Sequence, residues 1–317
     1  MREYRALLGP VAVVVIAVSA MIWSPFEPHG SPVLPEADEG EGVGEARALW
    51  ADEDWAVFEG RVREAIERGL DDAPLGRAVV EIGRSFVGTA YVPRTLEVEG
   101  PERLVINFLG LDCVTFVENT LAIARFVRSG AGARLSERPW AEARYEELLA
   151  ELRYRGGVLD GYPSRLHYFS EWISDNAGRG LVEDVTPALG GIRDAEPIDF
   201  MSTHPDAYRQ LADPGNVARI LETEETLTAA GRFFIPQRAI EAATGGIEDG
   251  DVIAATSTVT GLDVAHTGLA VWVDGTLRLM HAPLVGDSVQ ISDVSLAERI
   301  GGISGQDGVI VARPMER

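Results

Sequence analysis

Leu111-Asp112-Cys113-Val114-Thr115-Phe116-Val117-Glu118-Asn119 holds the single cysteine of a 317-residue chain, and its reading decides the fold. Gly110 ends the loop before it. Asp112 has the short acceptor side chain of an N-cap, and Val114, Val117 and Leu121 recur at helical spacing behind it. The stretch therefore reads as a loop running straight into an amphipathic helix, with Cys113 in its first turn. A lone cysteine closes no internal disulfide, so it is either an inert small hydrophobe or a reactive thiol. The positive end of the helix dipole favours the thiolate and points to the second.

A nucleophilic thiol needs a base, and the last third of the chain supplies one. From Asp251 the apolar period changes from helical to two. Asp251–Thr256, Val264–Val273 and Thr276–Ala282 read as strands, and Asp274-Gly275 is a two-residue hairpin signal. With that loop, Val273 faces Thr276, Gly268 faces His281 and His266 faces Pro283. His266 and His281 then share one face as diagonal neighbours, about 7–8 Å apart at the backbone. Gly268 places no side chain between them. One imidazole can act as base while the other orients it. A metal site is the competing reading, with Asp263 or Asp287 as third ligand. No zinc spacing accompanies the pair, and neither metal nor other cofactor is expected.

The rest of the chain gives the setting. Arg2 and Arg5 precede an apolar run from Leu7 to Trp23, and Val18-Ser19-Ala20 suits a signal peptidase. Residues 1–23 are thus expected to be a signal peptide or an uncleaved N-terminal anchor held in the membrane through residues 6–23. Both place the remainder in the periplasm or cell envelope. Residues 24–54 are rich in proline, glycine and acid, a composition that reads as a flexible linker. Residues 55–317 are read as one domain. Within it, Trp55–Leu70, Pro74–Phe86, Cys113–Arg128, Pro139–Tyr154, Tyr162–Asn176 and Asp213–Thr228 have helical periods. Helices first and antiparallel strands later make an α+β domain. Net charge is −22, and every basic residue is arginine. Nucleic acid is excluded as a partner because phosphate binding needs clustered positive charge.

Gly110–Glu118 and Leu262-Asp263-Val264-Ala265-His266-Thr267-Gly268 resemble the bacterial N-acetylmuramoyl-L-alanine amidase-like family, among the papain-like cell-wall cysteine hydrolases of the NlpC type. Gly88-Thr89-Ala90-Tyr91-Val92, Leu166–Trp172 and Gly250-Asp251-Val252-Ile253 resemble it too, so the likeness covers Leu75 to Pro314. It implies a papain-like α+β fold, a helical N-terminal half whose nucleophile helix packs on an antiparallel sheet. Carried over, Cys113 is the nucleophile, His266 the base and His281 the third, orienting residue. The resemblance also brings Tyr91 toward the site from the preceding loop.

Asp112, His167, Tyr168 and Ser170 are further candidates for contact with substrate. Arg165 and Arg193 could meet a substrate carboxylate. His204, before Pro205, reads as structural, and Asp251 and Asp263 as turn formers. The expected reaction is hydrolysis of an amide in peptidoglycan or muropeptides. The family favours the bond between N-acetylmuramic acid and L-alanine, and the D-glutamyl–diaminopimelate bond of the stem peptide is the alternative. A non-catalytic wall-binding module and an acyl transferase on the same scaffold complete the set.

Overall fold

The computed structural model describes residue 48, residues 50–285 and residues 287–316. The expected leader or anchor and most of the expected linker lie outside these. Packing begins before residue 55, because the Trp50 ring lies 5.4 Å from Phe58 and its Nε1 donates to Glu146 at 2.9 Å. Among the described residues no helix is long and apolar enough to cross a membrane.

Four helices come first: α1 (Asp52–Glu67), α2 (Leu75–Ser85), α3 (Cys113–Arg128) and α4 (Arg138–Arg153). In α1 the buried Trp55, Phe58, Val62 and Ala65 follow helical spacing, and Asp52, Glu53 and Asp54 complement the dipole at its start. Helix α3 is buried on nearly every side, since Phe116, Val117, Leu121, Ile123 and Phe126 point in different directions and are all buried. It is the hub on which α1, α2 and α4 pack. Between α2 and α3, β1 (Ala90–Tyr91) pairs in parallel with β2 (Gly110–Leu111).

The second half builds an antiparallel sheet. Its strands are β3 (Val182–Asp184), β4 (Ile192–Asp194), β5 (Arg232–Pro236), β6 (Val252–Ser257), β7 (Val264–Val273), β8 (Thr276–His281), β9 (Gln290–Ile291) and β10 (Gln306–Pro314). They run β4-β5-β10-β6-β7-β8-β9, with β3 also on β10. The β7–β8 register is the expected one, with Val273 opposite Thr276 and Leu269 opposite Met280. One face, with Leu269, Val271, Met280 and Ile310, packs against the helices. The other, with Ile253, Ala270, Leu279 and Val309, is covered by α7 (Leu296–Gly301) through Leu296 and Ile300. Helix α5 (Phe169–Gly178) lies between the halves in sequence, and α6 (Pro214–Ala230) lies between β4 and β5.

One expected helix is broken. Tyr162–Asn176 starts with a 3-10 turn at Tyr162–Ser164, passes through extended backbone at Arg165 and becomes helical only at Phe169. Gly161 enters with φ 71° and Arg165 bridges to Tyr154. His167, Tyr168 and Ser170 therefore do not share a helical face.

Candidate active site

Asp112 begins the site as the N-cap of α3. Its carboxylate accepts the Thr115 N–H at 2.8 Å, and the Thr115 hydroxyl accepts the Asp112 N–H at 2.9 Å. This reciprocal cap satisfies two otherwise orphaned donors and fixes where the helix starts. Cys113 follows at the first helical position and is buried. The Thr267 hydroxyl donates to the Cys113 carbonyl at 3.0 Å, tying the helix start to β7 one residue from His266.

His266 and His281 are joined directly. Nε2 of His266 lies 2.7 Å from Nδ1 of His281, and the rings meet edge to face at 4.9 Å between centroids. Gly268 makes this approach feasible, because a Cβ there would lie 2.6 Å from the Met280 carbonyl and 2.9 Å from the His281 Cβ.

Electrostatics overturn one expectation. Burial pushes the Cys113 thiol up to about 12, with the Asp112 carboxylate adding to it. The Thr267 backbone N–H and hydroxyl and the Cys113 N–H work the other way. Desolvation outweighs these hydrogen bonds, so the thiol is not the lowered one expected. Burial, with Arg299 nearby, pushes His266 down to about 3. Burial, His266 and Arg299 push His281 down to about 2. At neutral pH the three groups rest uncharged.

Tyr91, on β1, enters from the loop side. Burial raises its phenol pKa, with further contributions from Cys113 and Asp112. Its hydroxyl is buried and makes no hydrogen bond among the described residues. The same described residues contain no group of three His, Cys, Asp or Glu side chains that could hold a metal ion.

The model of the N-acetylmuramoyl-L-alanine amidase-like family matches residues 81–305. The chain belongs to that family. An N-acetylmuramoyl-L-alanine amidase from Bacteroides uniformis is 36% identical, covers 77% of this chain and 99% of its own, and superposes with a TM-score of 0.69. A Bacteroides fragilis protein provisionally titled a xylanase is also 36% identical, over 73% of this chain and 98% of its own, with a TM-score of 0.67. A Legionella pneumophila protein shares the fold at 20% identity, over 83% of this chain and 96% of its own, with a TM-score of 0.59. No curated protein matches the chain. The α+β architecture and hydrolase class follow from the family.

Other candidates in this amidase-like protein have different surroundings. Tyr168 is 2% exposed; its hydroxyl donates to Glu224 at 2.5 Å and accepts the Met201 N–H at 2.8 Å, so it is a core residue. His167 donates from Nε2 to the Tyr162 carbonyl at 2.9 Å, and its ring lies 4.4 Å from that of Tyr162. Burial and Arg165 hold its pKa well below the usual histidine value. Ser170 donates its backbone N–H to Asp263 at 2.7 Å. Arg165 is buried against Glu97 and Glu102, and Arg193 donates to the Ala230 carbonyl. Arg165 is thus paired internally, whereas Arg193 is exposed. His204 stacks on Phe200 at 4.3 Å, as a structural residue would.

Two positions near the site carry more than sequence reasoning gave them. Thr267 would have been recognisable only from the register that turns its side chain toward α3. Asp263 does more than form a turn, since it also accepts the Val264 N–H at 2.7 Å at the start of the histidine strand.

Proposed function

We propose that this protein is a cysteine amide hydrolase that cleaves the bond between N-acetylmuramic acid and L-alanine in peptidoglycan or muropeptides, on a papain-like NlpC-type scaffold. The observation that carries the reading is the 2.7 Å contact between His266 and His281 on the strand whose Thr267 hydroxyl donates to the Cys113 carbonyl.

The chemistry starts from neutral partners. For His266 Nδ1 to accept the thiol proton, its Nε2 must carry hydrogen and donate to His281 Nδ1. That assigns both tautomers, with hydrogen on Nε2 of His281 as well. The thiol proton passes to His266 as sulfur attacks the carbonyl carbon. The Cys113 N–H and the unpartnered Tyr91 hydroxyl are the donors available to the oxyanion. His266 then protonates the alanine nitrogen, and the stem peptide leaves. Water, deprotonated by His266, releases the muramic carboxylate and regenerates the thiol. The apolar segment at residues 1–23 suits delivery of this domain to the cell envelope.

Defined muropeptides incubated with the protein and analysed by mass spectrometry test the reading. Free stem peptide and peptide-free muramyl sugar are expected, and Cys113→Ala abolishes both. Sugar retaining L-Ala-D-Glu would make the enzyme an endopeptidase instead. Equal products, or none, from wild type and Cys113→Ala would remove the cysteine mechanism.

A further inference from the structure

The segment Tyr162–Ser170 reaches both sides of the site. At its first end Arg165, 4% exposed, donates from Nη1 to the Leu96 carbonyl at 2.7 Å and pairs through Nη2 with Glu97. Those partners lie in the loop that leaves Tyr91. Two more bonds hold that loop further on. Arg153 donates to the Val105 carbonyl at 2.7 Å while paired with Glu118 of α3 at 2.7 Å, and the Tyr154 hydroxyl donates to Glu102 at 3.0 Å.

At its second end the Ser170 N–H is held by Asp263, 1% exposed and three residues before His266. Between the ends Leu166, Tyr168 and Phe169 are core residues, so the link cannot slide. Ionic and polar contacts inside a protein add little net stability over apolar groups of equal volume, but they do specify geometry.

We propose that Tyr162–Ser170 is a brace setting the spacing between the Tyr91–Cys113 side and the histidine strand, with Arg165 and Asp263 as positioning residues at its two ends. The inference rests on the reading of Cys113 and His266 as nucleophile and base. Opening the Asp263 end lets β7 shift relative to α3, and a displacement of about 1 Å costs a reaction about 10²-fold.

Asp263→Asn tests it, because the amide keeps the shape yet sets an N–H₂ against one of the two N–H groups. The expected result is a fall in kcat of about 10²-fold with KM within about twofold. Alkylation of Cys113 by iodoacetamide at neutral pH should fall to the rate of His266→Ala. If kcat and alkylation stay within about twofold of wild type while Tm drops, the brace is refuted and Asp263 is merely structural. Should Asp263→Asn not unfold cooperatively, Glu97→Gln decides, since it loosens the other end and keeps the Leu96 contact. A kcat lowered about fivefold or more at unchanged KM supports the brace, and an unchanged kcat overturns it. Failure of the underlying chemistry looks different. There, wild type itself would alkylate no faster than His266→Ala, and the brace would fall with it.

Discussion

Gly268→Ala puts the histidine contact to a quantitative test. The new Cβ would sit 2.6 Å from the Met280 carbonyl oxygen, 2.8 Å from Leu279 Cδ1 and 2.9 Å from the His281 Cβ. The leucine tip can rotate away, but the other two belong to the β8 backbone or are fixed to it. Relief therefore requires β7 and β8 to part by about half an ångström, which stretches the 2.7 Å bond between His266 and His281 to the edge of hydrogen-bonding range at about 3.2 Å. Over-packing of this kind costs about 1–3 kcal/mol. Losing the orientation of His266 costs roughly 10²-fold in kcat. Urea unfolding gives the first quantity and steady-state hydrolysis of a defined muropeptide the second. Gly60→Ala is the control, because it lies in α1 with nothing within 4 Å of the added Cβ, and it should gain about 0.5–1 kcal/mol. A Gly268→Ala enzyme with kcat within about twofold of wild type would show that the bond does not orient the base.

Asp112→Ala strips the cap from α3 and should cost about 1 kcal/mol in urea unfolding; no measurable change would mean the capping box is idle. Arg153→Met leaves Glu118, with a side chain 2% exposed, without its partner and should cost about 3–5 kcal/mol. Adding Glu118→Gln should recover part of that loss, and a single variant as stable as wild type would contradict the reasoning. The histidines also predict a pH effect. Their pKa values, pushed down to about 3 and about 2, mean that the unfolded chain binds protons that the folded protein refuses once pH falls below the ordinary histidine value. Each imidazole thus lowers stability as pH falls from about 6.5 toward those values, by up to about 1.4 kcal/mol per pH unit. Glu118 and Asp263, raised by burial, act in the opposite sense, so the clean observable is a difference. His281→Asn should lose stability less steeply than wild type between about pH 6 and pH 4, and parallel curves would refute the assignment.

Local rules were enough to read α1 to α4, the Cys113 helix start and the histidine hairpin. Asp274 and Gly275 take φ 50° and 77°, as a two-residue turn demands, and the register follows from that turn alone. What escaped depends on partners distant in sequence. β5 and β10 carry no strong period of their own, yet β10 contributes Val309, Ile310 and Val311 to the sheet interior. Tyr162–Asn176 has helical spacing, but Gly161 and the buried charge of Arg165 set its path. The thiol is the sharpest case. Helix position is a local property and favours the anion, whereas burial under β7 is a tertiary property and prevails.

Strand order has a consequence for how the protein is made. β10 sits between β5 and β6 in space but follows every other strand in the chain. During synthesis, β6 to β8 would form a hairpin sheet with one edge open until Gln306–Pro314 arrives. Closure across so long a sequence interval is slow, which exposes that edge to other chains. The histidine strands sit inside that unfinished sheet, one and two strands from its open edge, and a Cys113 helix finished early in synthesis waits for a sheet completed last.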